Sequence, residues 1–279
     1  MKNQRNIIVT VVAVLLIIVG FFTLNRKGNS SEKNVTIGVV SQSKQDEAIW
    51  KIIRKDIKDK YGINVKIKNF TDYTQPNKAL QNGDIDLNAF QHQAFLDAWN
   101  KANKGTIVSI GKTFIAPIRL YSNKYKSIKK LPKGATISLP NDATNESRAL
   151  FVLKNAGLIT FKKNCSKLAT IKDIATNKKQ FKLKEIGAEQ TARTLSDVDA
   201  AFVNNNYAIA SGLKTNSAIY TEPVNKDSKQ WINIICSTRK NKNNPLFKKI
   251  IKVYQTNKVK QLYKKYYGNT QIPAWDIKL

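Results

Sequence analysis

The sequence predicts an α/β protein of two lobes with a cleft between them, and three observations predict it. Apolar runs and amphipathic runs alternate as strand, helix, strand, helix from residue 35 to residue 102, the order expected of a mostly parallel sheet. The same alternation restarts at residue 135, after extended stretches at residues 107–111 and 113–122 that carry Pro117. Such a proline suits an edge strand or a crossover, not a central ladder position. A strong strand pattern near residues 231–238 then follows the second alternation and is placed to run back to the first. Two α/β units joined by two extended passes leave a cleft and a hinge. The expected lobes are residues 35–116 with 236–279, and residues 117–235, with residues 1–34 standing apart.

Composition narrows the class. A chain of 279 residues with 42% hydrophobic side chains can bury a sizeable core, which excludes a disordered protein. The net charge of +29 raises the question of nucleic acid. The excess is nearly all lysine and is spread along the chain, while arginine, the usual reader of guanine edges and phosphates, is scarce. That pattern fits a domain working beside an anionic envelope, or a lysine-rich proteome, and nucleic acid is not an expected partner. Cys165 and Cys236 form no Cys-x-x-Cys, and with His92 as the lone histidine they make a poor zinc set. No metal or cofactor is expected. A disulfide and two free thiols both remain open.

In chain order, residues 7–24, from Ile7 to Leu24, form an uncharged, apolar run between Lys2 and Arg5 on one side and Arg26 and Lys27 on the other. At about 1.5 Å per residue it just spans a hydrocarbon core of about 30 Å. It is long for a signal-peptide core, and no clean small-x-small cleavage site follows. The expectation is an uncleaved N-terminal anchor with the bulk of the chain exported, a cleaved signal peptide being the alternative. Residues 25–34 read as a short tether. Residues 35–40 form a strand, and Ile49, Trp50, Ile53 and Ile57 fall at helical spacing before Gly62. Val65, Ile67 and Phe70 alternate as a second strand. A turn-rich loop containing Tyr73 leads into a short helix that stops at Gly83.

Residues 84–92, Asp-Ile-Asp-Leu-Asn-Ala-Phe-Gln-His, read as an apolar strand ending in polar and aromatic side chains. Ligands in open α/β sheets lie at such carboxyl ends. Phe95, Leu96 and Trp99 follow on one helical face. In the second unit, residues 135–140 form a strand, and residues 141–148 supply Asp, Thr and Asn caps for a helix that carries Arg148. Residues 181–186 and 198–203 read as strands, with a brief helix at 191–195 between them and an asparagine turn at 204–206 after them. Residues 231–236 are the returning strand, and two lysine-rich amphipathic helices fill residues 245–257 and 257–267.

Three segments therefore converge on the cleft: residues 88–92, 141–148 and 204–207. A helix N-terminus favours anions, and Arg148 adds a fork that fits a carboxylate. Asn204 and Asn233 can hold an ammonium and a carboxylate together, while Tyr73, Phe90 and His92 offer flat apolar walls. Asn88 and Asn145 sit in the same segments. The set suits an α-amino acid with a hydrophobic side chain, whose burial contributes about 1.5–3 kcal/mol. Catalysis finds little support. There is no Gly-x-Ser-x-Gly elbow, no Gly-x-x-x-x-Gly-Lys-Ser/Thr loop, and no Gly-x-Gly-x-x-Gly after the first strand.

The stretch Asn88-Ala89-Phe90-Gln91-His92-Gln93-Ala94-Phe95-Leu96 resembles the N-x-F-Q-H-x-x-(Y/F)-L signature of NlpA/MetQ-type methionine-binding proteins of ABC importers. The loop at residues 70–77 is similar to that family's first binding loop. Residues 142–150 match its D-P-T-N-x-x-R-A-L helix start, with Ala143 in place of the proline and Ser147 in place of a frequent glycine. Residues 203–208 match its I-N-x-N-Y-A turn, and residues 231–235 look like its returning strand. The resemblance implies a periplasmic-binding-protein-like fold, type II-like, with two crossover strands and an interlobe cleft. It implies that Arg148 pairs with a ligand carboxylate, that Asn204 and Asn233 hold the α-amino and carboxylate ends, and that Tyr73, Phe90 and His92 surround the thioether. The family's lipid-bearing cysteine is missing, so attachment is expected through residues 7–24.

The sequence thus predicts a non-enzymatic receptor on the outer side of the cell membrane. Its expected ligand is L-methionine or a close analogue, and its expected partners are an ABC permease and its ATPase. The alternatives are a paralogue for another amino acid or a methionine-containing dipeptide, and, from a different class, a basic module associated with the envelope or with nucleic acid.

Overall fold

The computed structural model describes residues 33–279. Strands β1 (Lys33–Val40), β2 (Ile63–Phe70), β3 (Leu87–Asn88) and β4 (Ile107–Lys112) belong to a first five-stranded sheet. After β5 (Phe114–Ile115) the chain crosses to a second five-stranded sheet. That sheet contains β6 (Arg119–Tyr121), β7 (Thr136–Pro140), β10 (Lys182–Ile186), β11 (Ala200–Val203) and β12 (Tyr220–Thr221). Strand β13 (Ile234–Thr238) returns to the first sheet and lies between β3 and β4, and β14 (Ile272–Pro273) pairs with β5. A separate hairpin of β8 (Ile159–Phe161) and β9 (Ile174–Asn177) was not foreseen from sequence.

Both sheets are mixed, where the alternation had suggested a mostly parallel one. In the first, β1 and β3 are parallel but β13 runs antiparallel to β3 and β4. In the second, β10, β7 and β11 are parallel and β6 is antiparallel to β11. The reason lies in the crossings. A strand that comes back from the other unit meets its new neighbours from the opposite direction, which a local helix–strand alternation does not encode.

Helix α1 (Lys44–Tyr61) shows how the local signals are used. Ser43 and Asp46 form a reciprocal capping box at its start, and Gly62 closes it in the left-handed conformation, φ 65°. Ile49, Trp50, Ile53 and Ile57 face inward, as their spacing predicts. They pack on Val35, Ile37 and Ile63 of β1 and β2, with α6 (Pro245–Tyr254) and α7 (Asn257–Tyr267) completing the layer. Each fully buried aliphatic side chain here contributes about 1.5–3 kcal/mol. On the other face of the first sheet, a cluster runs from Leu80, Leu96 and Trp99 across to Tyr121, Leu195 and Val203 of the second unit. The two halves therefore share apolar contact beside the cleft. Gly38 permits close cover of β1, since a Cβ there would lie 2.6 Å from Ile85 Cδ1.

Residues 84–92 contribute less strand than expected, because only Leu87 and Asn88 pair in the sheet. Its polar end instead forms an isolated bridge, His92 with Asn233 of the returning chain. Cys165 and Cys236 are both free thiols. Among the described residues no helix is long and apolar enough to cross a membrane. The anchor expected at residues 7–24 lies outside the described residues.

Candidate ligand-binding cleft

A cavity of about 90 Å³ lies where the three predicted segments meet. Tyr73, Phe90, His92, Arg148, Asn204 and Asn233 all line it, as does Asn145. Asn88 does not. It is fully buried behind the lining, donating to Asn77 Oδ1 at 2.9 Å and to the Pro76 carbonyl at 3.4 Å, and accepting from Gln91 Nε2 at 3.1 Å. Asn77 and Gln91 exchange two further bonds of 2.9 and 2.7 Å. This amide network fixes the turn that carries Phe90 and His92, and its members have little capacity left for a ligand.

His92 is the N-cap of α3 (Gln93–Asn103). Its Nδ1 accepts from the Phe95 amide at 3.0 Å. With Nδ1 an acceptor, the proton sits on Nε2, which faces Asn145 Oδ1 at 3.4 Å. Burial, and then the nearby Arg148 cation, hold its pKa at about 3. His92 is thus neutral, and both ring nitrogens are committed. The ring stacks edge-on against Trp231, with centroids 5.0 Å apart.

Arg148 projects from α4 (Ala143–Asn155) and is only 3% exposed. Its Nε donates to Glu222 Oε1 and Oε2 at 2.8 and 3.0 Å, and its Nη2 donates to Glu222 and to the Ala116 carbonyl. The guanidinium lies over the Trp231 ring, 4.9 Å from its centroid. Arg119, also buried, donates to the Pro117 carbonyl at 3.2 Å and to Asn205 Oδ1 at 2.8 Å. Burial lowers the pKa of Arg119. Of these three buried groups only Arg148 lines the cavity; Arg119 and Glu222 lie behind the lining, and Asp46 is the carboxylate in it. The N-terminus of α4, by contrast, is not open to an anion. Asp142 caps it, accepting from the Asn145 amide at 3.0 Å and from Asn145 Nδ2. The expectation of an anion at that helix start is corrected accordingly.

The asparagine turn that starts α5 (Asn205–Ala210) supplies the remaining polarity. Asn204 Nδ2 donates to Asn145 Oδ1 at 2.8 Å, and Asn206 Oδ1 accepts from the Tyr73 hydroxyl at 2.6 Å. With Asn205 Oδ1 held by Arg119, each carboxamide has one end fixed. The other ends, Asn204 Oδ1, Asn205 Nδ2 and Asn206 Nδ2, are buried without a protein partner. All three residues line the cavity. Buried polar atoms are rarely left unpaired. One orphan acceptor and two orphan donors are the complement of an ammonium beside a carboxylate. Tyr73, Phe90, Phe95 and Tyr207 form an aromatic wall, with centroids 4.9–5.9 Å apart.

Sequence reasoning missed Arg119, Glu222, Asn205 and Asn206. Glu222 had one available signal, since a carboxylate is uncommon in so basic a chain. Nothing in spacing pairs it with Arg148, 74 residues away. Among the described residues no group of three His, Cys, Asp or Glu side chains could hold a metal ion.

The architecture is the two-lobed periplasmic-binding-protein fold. Residues 35–275 match the family model described as NlpA lipoprotein, and the chain belongs to that family. It is 42% identical to a nutrient binding protein from Burkholderia cenocepacia solved bound to methionine, covering 86% of this chain and 99% of that one, with a TM-score of 0.81. It is 41% identical to the substrate binding protein of a methionine transporter from Streptococcus pneumoniae, covering 87% and 96%, with a TM-score of 0.82. It is also 36% identical over 277 residues to the probable D-methionine-binding lipoprotein MetQ of Haemophilus influenzae, covering 99% of this chain and 100% of that protein.

Proposed function

We propose that this protein is the extracytoplasmic receptor of an ABC importer and that it captures methionine. The observation that carries the reading is the asparagine turn: three consecutive residues that line a cavity shared with Arg148 and aromatic rings each keep one buried amide end without a protein partner. In the proposed complex, Arg148 and the free amide donors take the carboxylate, and Asn204 Oδ1 takes the ammonium. Asn233 lies across the cleft, and Tyr73, Phe90 and His92 enclose the thioether. The lobes of the proposal are residues 35–116 with 236–279, and residues 117–235. Closure of the lobes retains the ligand for delivery to a permease and its ATPase. No chemistry is asked of the protein, consistent with a neutral His92 whose nitrogens are both occupied.

Membrane attachment is assigned to residues 7–24, because the only cysteines are Cys165 and Cys236, leaving none near the N-terminus to carry a lipid. Both enantiomers present the same three groups, and the name of the Haemophilus influenzae relative specifies the D form while the sequence reading favoured the L form. Isothermal titration with L-methionine, D-methionine and a panel of other amino acids tests the proposal. It expects saturable one-to-one binding of methionine well ahead of charged amino acids, and binding that changes little with salt. Absence of methionine binding, or preference for a charged side chain, contradicts it. One observation favours a longer ligand as a second reading. The cavity also touches Asp46, Trp50, Tyr254 and Gln271, and Gln271 Oε1 has no partner. A methionine-containing dipeptide belongs in the same titration.

A further inference from the structure

We infer that Glu222 is a positioning and specificity-determining residue of the cleft: it clamps Arg148 before the ligand arrives and sets the charge balance so that a zwitterion is accepted in preference to a bare anion. The inference rests on the amino-acid reading above and deepens it.

The clamp is visible in the bonding. Glu222 occupies Arg148 Nε through both oxygens, at 2.8 and 3.0 Å, and also engages Nη2, which is further held by the Ala116 carbonyl at 3.0 Å. One whole edge of the guanidinium is therefore spent inside the protein. Nη1 is the end left for a ligand, so Arg148 meets a carboxylate end-on, not as a two-pronged fork. The same carboxylate accepts from the Ile118 amide at 3.1 Å. Ala116 and Ile118 belong to the segment that links β5 of one sheet to β6 of the other. Glu222 thus fastens the arginine to the crossing chain, and the Trp231 ring supports its face. An arginine so held reaches the bound geometry without further ordering cost.

The charge count gives the second half. Arg148 and Arg119 are 3% and 4% exposed and Glu222 is 9% exposed. Without Glu222, Arg148 in the lining and Arg119 bonded behind Asn205 would be two buried cations with no carboxylate between them, and a ligand bearing only a carboxylate would be favoured over one that also carries an ammonium. With Glu222 this trio keeps one excess cation, and the ammonium is tolerated beside Asn204 Oδ1. A carboxylate several ångströms from an ammonium at an effective dielectric near 20 changes affinity by roughly tenfold or more.

The test compares two ligands on the full chain purified in detergent: methionine, and 4-(methylthio)butanoate, which keeps the carboxylate and thioether but lacks the ammonium. Glu222→Gln preserves shape and removes charge, whereas Glu222→Asp preserves charge and shortens the clamp. Titration calorimetry is expected to show the ratio of methionine to 4-(methylthio)butanoate affinity falling about tenfold in Glu222→Gln and staying within about twofold in Glu222→Asp, with Glu222→Asp weakening both ligands together. A purely structural ion pair predicts equal losses for both ligands in both variants, and that result overturns the inference. So does a shifted ratio in Glu222→Asp; where Glu222→Gln does not fold, Glu222→Ala removes the same charge and carries the same expected fall in the ratio. If the unaltered chain binds no methionine, the amino-acid reading falls and this inference falls with it. If it binds methionine and Glu222→Gln leaves the ratio unchanged, the inference alone falls.

Discussion

At the residue scale, the cleft is built from side chains that each spend one half of their bonding capacity on the protein. Arg148 gives one edge to Glu222, Asn204 gives its Nδ2 to Asn145, and Asn206 gives its Oδ1 to Tyr73. Arg148→Ala removes the cation facing the proposed ligand carboxylate and strands Glu222. Truncating one partner of a buried, hydrogen-bonded charge pair in a binding site costs about 2–5 kcal/mol of affinity, so methionine binding is expected to weaken by about a hundredfold in calorimetry, with circular dichroism confirming the fold. His92 makes a separate prediction. Its pKa is held at about 3 in the folded protein against an ordinary 6.5. The unfolded chain therefore takes up a proton that the folded protein refuses. Stability is full above about pH 6.5 and is lost progressively as pH falls toward 3, by on the order of 2 kcal/mol at pH 5. His92→Asn keeps an N-cap acceptor for α3 and removes the titration. Its melting temperature is expected to fall less between pH 7 and pH 5 than that of the unaltered chain, as read by thermal unfolding at each pH. Arg148, Asn204 and His92 were legible in sequence because they stand in compact motifs at the ends of predicted elements. Glu222 and Arg119 were not, because their roles arise from burial and from contacts 74 and 86 residues apart.

At the scale of elements, amphipathic helices were the most legible parts. In α1, spacing, cap and stop agree, and all four predicted apolar residues are buried. The stretch at residues 84–92 was the least legible, because its apolar alternation suggested a full strand. Two residues pair, and the rest is shaped by the amide network of Asn77, Asn88 and Gln91. Alternation reports which side chains face inward, whereas this turn is set by side-chain bonds between residues 11 to 14 apart. Asn88→Ala leaves Asn77 and Gln91 short of partners, a cost of about 1–3 kcal/mol. Urea unfolding is expected to show that loss. The folded variant should retain methionine affinity within about threefold, because Asn88 lies behind the cavity lining. A much larger loss of affinity would place Asn88 at the ligand after all. The mixed sheets were likewise unreadable locally, since strand direction in β13 is a consequence of the crossing.

At the scale of the whole molecule, the two halves meet through a reciprocal pair of bonds across the cleft. The Tyr73 hydroxyl donates to Asn206 Oδ1 at 2.6 Å, and the Tyr207 hydroxyl donates to the Thr71 carbonyl at 3.2 Å. Burial raises the pKa of both phenols, so they act as donors throughout the physiological range. A ligand that bridges the same surfaces stabilises this closed arrangement by its differential affinity for it. Tyr73→Phe keeps the aromatic wall and deletes one bridging bond worth about 1 kcal/mol. Methionine is expected to bind it roughly fivefold more weakly, chiefly through faster release in stopped-flow measurements. The two-lobed plan was legible from the restarted alternation and the two extended passes, while the closed contact between lobes depends on tertiary approach and was not. The most direct test of the central claim is a crystal structure of residues 33–279 with methionine bound. The carboxylate is expected at Arg148 Nη1 and the free amide donors of Asn205 or Asn206, the ammonium at Asn204 Oδ1, and the thioether against Tyr73 and Phe90. A methionine seated with its carboxylate away from Arg148, or bound outside this cleft, would contradict it.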